Sequence, residues 1–173
     1  MNLEHFFTDG VGIVHFTFSM LALFFGSWVL YGTKGTKNHK RMGYFYAIAM
    51  LIVVGTSFMM YNLFGSFGIF HVFALIRGLT LLGGMLPMIL KKPKSYISMH
   101  YNFMYWSVLG LYGALVAETL VRIPKTVVKD TEVLPIFFNL VGVAVFLVMG
   151  AGYYFFFKKR KKWAEFDKNS QLP

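Results

Sequence analysis

The chain has 173 residues, of which 57% are hydrophobic and only 14% are charged, and its net charge is +10. A soluble domain of this length needs far more charge to cover its surface, so this composition indicates an integral membrane protein. The chain contains no cysteine. This excludes a disulfide framework, thiolate metal sites and covalent attachment of haem through cysteine.

Five apolar runs follow one another along the chain, and each reaches the length of about 20 residues that crosses roughly 30 Å of hydrocarbon. They predict an all-α fold, a single bundle of five transmembrane helices within residues 1–157, followed by a basic tail over residues 158–173. The runs are Val11–Tyr31, Met42–Phe64, Phe67–Leu90, Met99–Val121 and Val133–Phe157.

The basic residues are concentrated in the first loop, the third loop and the tail, which together hold 13 of the 17 Lys and Arg. By the positive-inside rule, this distribution predicts a cell inner membrane protein with its N-terminus outside and its C-terminus in the cytoplasm. The tail is expected to meet anionic lipid head groups, and nucleic acid is not an expected partner. The thirteen are Lys34, Lys37, Lys40, Arg41, Lys91, Lys92, Lys94, Lys158, Lys159, Arg160, Lys161, Lys162 and Lys168.

Four histidines suggest that the first four helices form two similar hairpins, helices 1–2 and helices 3–4, related by an axis along the membrane normal. His15 and His71 lie near the outer ends of helices 1 and 3, whereas His39 and His100 open helices 2 and 4 at the inner side. Two imidazoles on different helices are the axial ligands that a haem b requires. The pattern predicts His15 with His71, and His39 with His100, as the ligand pairs of two haems.

Two charged residues lie within the predicted spans, where ionisable groups are costly and usually face a partner or a pathway. Arg77 is predicted to support a haem propionate or a quinone carbonyl, although an ion pair or carbonyl contact between helices is the structural alternative. Glu118 lies at the level of His15 and His71, and these three form the alternative site, a zinc or non-haem iron centre of a metal-dependent enzyme.

Each histidine also has an interpretation without a cofactor, because a histidine near a helix end often faces head groups or reaches water. A cofactor-free accessory or structural subunit is therefore a third hypothesis. The sequence leaves open whether the chain is an enzyme and whether it forms an oligomer.

The block from Asn38 to Ala47, followed by His71 and by His100 with Met104, resembles a bacterial family of predicted membrane proteins of unknown function. That family has a His-Arg-x-x-Gly opening to one helix and a His-x-x-x-Met opening to a later one; here Lys40 stands where arginine is common. The resemblance covers roughly residues 10–121 and implies no activity. The paired histidines are also similar to those of two-haem b-type cytochromes, including the transmembrane ferric reductases. That likeness implies electron transfer to or from a quinone, a metal ion or a partner redox protein.

Overall fold

The computed structural model describes residues 10–60, 67–127 and 134–170, and all regular secondary structure within these ranges is α-helical. The prediction of an all-α fold is therefore confirmed for the described part of the chain. The end of the second predicted span, residues 61–64, lies outside the described residues. The helices are α1 (Gly10–Tyr31), α2 (Lys37–Ser57), α3 (Ile69–Leu90), α4 (Tyr96–Val127) and α5 (Leu134–Ser170).

Four of these helices contain segments long and apolar enough to cross a membrane, namely Gly10–Tyr31, Phe70–Leu90, Tyr96–Leu120 and Asn139–Glu165. The described part of α2 does not qualify, because its first turns carry Lys37, Lys40 and Arg41. The stretch from Met42 to Ser57 that follows extends over only about 24 Å at 1.5 Å per residue. The chain is thus confirmed as a multi-pass membrane protein. That α2 is a fifth transmembrane span, and the direction in which the chain is inserted, stay predictions.

Large apolar side chains cover the outside of the spanning helices. Phe24 is 58% exposed, Leu79 is 59% exposed and Phe146 is 76% exposed. Contiguous apolar surface on this scale is unfavourable in water and is the surface that lipid tails solvate.

The chain divides into two compact units, an N-terminal unit from Asn2 to Val108 and a C-terminal unit from Leu109 onward. The N-terminal unit contains α1, α2, α3 and the first part of α4. The C-terminal unit contains the rest of α4 and α5, where Gly113 faces Val145 and Met149 and the side chain of Leu109 lies against Gly152. Helix α5 continues without a break past residue 157, the predicted end of the transmembrane domain.

Tyr46 of α2 is the centre of the N-terminal unit. Its side chain is completely buried, and its ring lies so close to Gly26 of α1 that a Cβ there would come within 2.9 Å of it. Its hydroxyl is 2.8 Å from Oγ of Ser107 on α4. Arg77 of α3 is within electrostatic reach of the same phenol. One side chain of α2 thereby contacts both α1 and α4, although a tyrosine in this region is expected at the membrane interface.

The first basic loop is shaped by local hydrogen bonds at the ends of two helices. The Lys34 ammonium donates to the carbonyls of Val29 (2.5 Å) and Leu30 (2.6 Å), which are otherwise without helix partners at the end of α1. Gly35 adopts φ +78°, a conformation that favours glycine. The Thr36 hydroxyl then caps α2 by accepting the N–H of His39 at 3.1 Å. These contacts fix the first turn of α2, and with it His39.

Candidate functional site

The structure brings His39 and His100 together at the end of the N-terminal unit that carries loops 32–36 and 91–95, here called the loop end. Their ring centroids are 6.5 Å apart and their planes are nearly perpendicular, at 80°. His39 lies in the first turn of α2, and His100 lies in the first turns of α4. The two helices therefore begin side by side, as the predicted pairing of these histidines requires.

The hydrogen bond of His100 determines which of its ring nitrogens carries the proton. Nδ1 lies 2.8 Å from the carbonyl oxygen of Gly84 on α3. A carbonyl can only accept, so neutral His100 holds its proton on Nδ1 and presents the lone pair of Nε2. A backbone carbonyl that orients an imidazole in this way is the usual outer-shell partner of a metal-bound histidine.

Gly84 also explains how α4 approaches α3 closely enough for this bond. A Cβ at Gly84 would lie 2.7 Å from Sδ of Met104, one turn after His100. Pro87 lies within α3 and has no N–H to donate to the carbonyl of Gly83, which loosens this turn of the helix. His100 and Met104, four residues apart on one face of α4, thus both contact the same glycine.

His39 is half-buried, and its Nδ1 is enclosed without a hydrogen-bond partner among the described residues. Burial, the nearby Lys34 ammonium and His100 together lower the pKa of His39 from 6.5 to about 4. The imidazole is therefore neutral at pH 7 and able to act as a ligand or as a hydrogen-bonding group. An enclosed polar atom without a partner is costly, and in a native protein it requires an explanation.

At the opposite end of the unit, His15 of α1 is bound to α2. Its Nδ1 lies 2.9 Å from Oγ1 of Thr56. The Thr56 hydroxyl already donates its proton to the carbonyls of Ile52 (2.7 Å) and Val53 (3.0 Å). It must therefore accept from His15, which places the proton of neutral His15 on Nδ1 and the lone pair on Nε2.

His71 has the opposite tautomer. Its Nδ1 accepts the backbone N–H of Gly68 at 3.1 Å, at the start of α3, so neutral His71 carries its proton on Nε2. The side chain is 4% exposed, stacks on Phe67 at 4.8 Å and lies 6.2 Å from the ring of Phe58. It is thus an enclosed residue that helps to begin α3, and does not reach toward water. Ligation of metal by His15 with His71 stays a prediction.

Arg77 and Glu118, the two predicted intramembrane charges, lie in different units. Half-buried Arg77 is near Tyr46, whereas Glu118 belongs to the C-terminal unit. Within the described ranges, no group of three or more His, Asp or Glu side chains is gathered closely enough to hold a metal ion. The alternative site of His15, His71 and Glu118 also stays a prediction.

A model of a family described as predicted membrane protein, DUF2306, matches residues 12–154. The chain belongs to the DUF2306 family. No curated protein and no solved structure matches the chain. The resemblance to a family of predicted membrane proteins of unknown function is confirmed, and DUF2306 membership carries no activity with it.

The structure gives a physical reason for one helix opening used to identify the DUF2306 resemblance. In the His-x-x-x-Met opening, His100 and Met104 both contact Gly84. In the other opening, His39 is held by the Thr36 cap and faces His100. Gly43, its last residue, has no such explanation, because a Cβ there would meet nothing within 4 Å.

Sequence reasoning did not identify the residues that orient the histidines in this DUF2306 chain. Thr56 is a hydroxyl one turn after Ile52 in an apolar run, and Gly84 follows another glycine three residues before Pro87. Both patterns are visible signals, since a polar group or a glycine pair in a transmembrane helix usually marks a helix–helix contact. Which histidine each would meet depends on the packing of separate helices.

Proposed function

We propose that the chain is a membrane-embedded b-type haem protein that transfers electrons within the bilayer, and that His39 and His100 are its axial ligands. The observation that supports this most directly is the 6.5 Å separation of the two rings. Two imidazoles on opposite sides of one metal, each with a nitrogen about 2 Å from it, have ring centres roughly 6 Å apart. The spacing within the apo pair is thus close to that of a ligated pair.

The chemistry of the two side chains also fits an iron centre. His100 presents Nε2 with its lone pair, because Gly84 accepts its Nδ1 proton. His39 is neutral at pH 7 and does not have to lose a proton before it binds. Lys37 and Arg41 lie two residues to either side of His39 in the sequence, and their charges would attract the carboxylates of the haem. The haem, when bound, supplies reversible one-electron transfer, and the chain supplies its ligands and an apolar surrounding.

The proposal is confined to one haem at the loop end. Neutral His71 holds its proton on Nε2 while Nδ1 accepts from Gly68, so neither nitrogen presents a lone pair toward a metal in this arrangement. A second haem between His15 and His71 would require the Gly68 hydrogen bond to break and α3 to lose this contact at its first turn.

The test is a reduced-minus-oxidised difference spectrum of the purified full chain from haem-supplied cells. We expect a b-type α-band in the wild type, and its loss in His39→Ala and in His100→Ala. Added imidazole should restore the band in these two variants, because it fills the space left by the missing ring. His15→Ala is the matched control and should keep the band. A wild type without the α-band would refute the haem assignment, and equal loss in His15→Ala would refute the choice of pair.

A further inference from the structure

Two cavities beside α1 share Trp28 as a lining residue. The first is an open groove of about 480 Å³ on one face of α1. Its lining is almost entirely apolar, since the Ser27 hydroxyl donates to the Leu23 carbonyl of its own helix. The groove is lined by Met20, Leu23, Phe24, Ser27, Trp28 and Tyr31.

The second cavity, of about 340 Å³, lies at the loop end; it is here called the polar cavity because it carries more polar groups than the groove, although most of its surface is apolar. Its lining includes hydroxyl groups, an amide and the His39 imidazole, and Trp28 is the side chain that it shares with the groove. It is lined by Trp28, Gly32, Thr33, Thr36, Asn38 and His39. A cavity with polar groups that shares a lining side chain with an apolar groove is complementary to an amphipathic molecule with a compact head and an apolar tail.

The charges at the polar cavity favour a neutral head over a phosphate. None of the six described residues that line this cavity is a Lys or Arg, and the nearby Lys34 ammonium is held by the Val29 and Leu30 carbonyls at the end of α1. A phosphate would therefore meet hydroxyls and an amide without the paired cation that its charge requires. A quinone carbonyl, in contrast, can accept hydrogen bonds from such hydroxyl and amide groups and from the His39 imidazole that lines the cavity.

We propose that these two cavities form a binding site for an isoprenoid quinone, with its ring in the polar cavity beside His39 and its tail along the α1 groove. This inference rests on the proposed function, because it names the electron carrier that binds beside the same histidine pair. The two roles of His39 are compatible, since the two imidazole nitrogens are distinct and one can bind a metal while the other forms a hydrogen bond.

Trp28 provides a direct measurement, because a quinone ring beside an indole quenches its fluorescence. The chain has three tryptophans, and only Trp28 lines either cavity. Decylubiquinone titrated into the purified full chain in nanodiscs should give saturable quenching that is lost in Trp28→Phe. The titration is made in the His100→Ala variant, which by the proposed function lacks haem and its own quenching.

Three further variants and one competing lipid test where the quinone binds. His39→Ala should weaken binding about tenfold, the effect of one lost hydrogen bond to the ring. Ser27→Phe, which fills the groove, should weaken binding of decylubiquinone but not of a quinone without a tail. Ile76→Phe, on the exposed face of α3, is the control and should change neither. A decyl phosphocholine that competes as well as the quinone would show an ordinary lipid contact and overturn the proposal.

The outcomes for quinone and haem are separable. Saturable quenching without an α-band in the wild type would leave the quinone site and remove the haem. An α-band that disappears in His39→Ala, with no saturable quenching in any variant, would leave the haem and remove the quinone site.

Discussion

The hydroxyl of Tyr46 lies 2.8 Å from Oγ of Ser107, and both side chains are almost completely buried at the centre of the N-terminal unit. Since a buried polar group is costly unless it is hydrogen-bonded, each of these hydroxyls depends on the other. The pair joins α2 to α4, the two helices whose first turns carry His39 and His100. The distance between these two histidines is therefore tied to a hydrogen bond located deeper in the unit.

The contributions of Tyr46 and Ser107 to stability should be coupled, because each hydroxyl is the other's hydrogen-bond partner. Ser107→Ala leaves the Tyr46 hydroxyl buried without its partner and is expected to cost about 1–3 kcal/mol, whereas Tyr46→Phe costs about 0.5–1.5 kcal/mol. The loss in the double variant should be smaller than the sum of the two. The measurement is the thermal unfolding midpoint in detergent of the wild type, the two single variants and the double variant. Strictly additive losses of stability would contradict the coupling.

Gly84→Ala should weaken the contact between α3 and α4, because its Cβ would come within 2.7 Å of Met104 Sδ. Overpacking of this kind costs about 1–3 kcal/mol. Gly43→Ala is the matched control, since a Cβ there meets nothing within 4 Å. It should leave the stability unchanged or raise it by about 0.5–1 kcal/mol through helix propensity. Unfolding midpoints of the two variants provide the comparison, and a smaller loss in Gly84→Ala than in Gly43→Ala would exclude this packing.

Thr56→Val should separate α1 from α2 at the His15 end with almost no change in side-chain volume. The variant leaves Nδ1 of His15 without its acceptor, at a cost of about 1 kcal/mol or more. Thr80→Val is the control, because the Thr80 hydroxyl donates to the Arg77 carbonyl of its own helix at 2.9 Å. If Thr80→Val destabilises the chain as much as Thr56→Val, the contact between the two helices has no special role.

The stability of the haem-free chain should depend on pH through His39. Its pKa is lowered from 6.5 to about 4, so between these values the unfolded chain binds more protons than the folded chain. Stability then rises with pH across this window and is lost as the pH falls from about 6.5 toward 4. Below about pH 4 both states hold the proton, and this contribution no longer changes.

His39→Gln isolates this effect from the other titrating groups. The difference in unfolding midpoint between the wild type and His39→Gln should change from pH 7 to pH 5, with the wild type losing more. A difference that stays constant over this range would mean that His39 titrates in the folded chain as it does in water.

The helices were predictable because lipid imposes a simple rule on sequence. A segment in hydrocarbon must satisfy its backbone hydrogen bonds internally and must be apolar on its outside. The predicted bounds Val11–Tyr31 and Phe67–Leu90 therefore agree with those of α1 and α3 to within two residues. The rule fails where a helix is charged at one end. Helix α2 begins at Lys37, five residues before the predicted start at Met42, because the Thr36 cap begins the helix within the basic loop.

The candidate site was predictable only in part. The juxtaposition of His39 and His100 follows from two hairpins of similar length that start and end at the same level, which the sequence pattern indicates. The orienting groups do not follow from it. The Gly84 carbonyl is a backbone atom that every residue possesses, and its access to His100 depends on the missing Cβ and the nearby Pro87. The burial of Tyr46 likewise depends on the missing side chain at Gly26, because a Cβ there would come within 2.9 Å of the Tyr46 ring.

Helix α5 carries five consecutive basic residues, Lys158 to Lys162, all of them exposed. Since a helix makes one turn in 3.6 residues, five successive side chains surround its whole circumference. Entry of any one of them into hydrocarbon costs about 2.5–3.5 kcal/mol on insertion scales. The helix can therefore tilt or rotate about its axis, but it cannot slide along that axis into the bilayer. A conformational signal passed through α5 would therefore be a rotation or a tilt of the helix, not a translation along its axis.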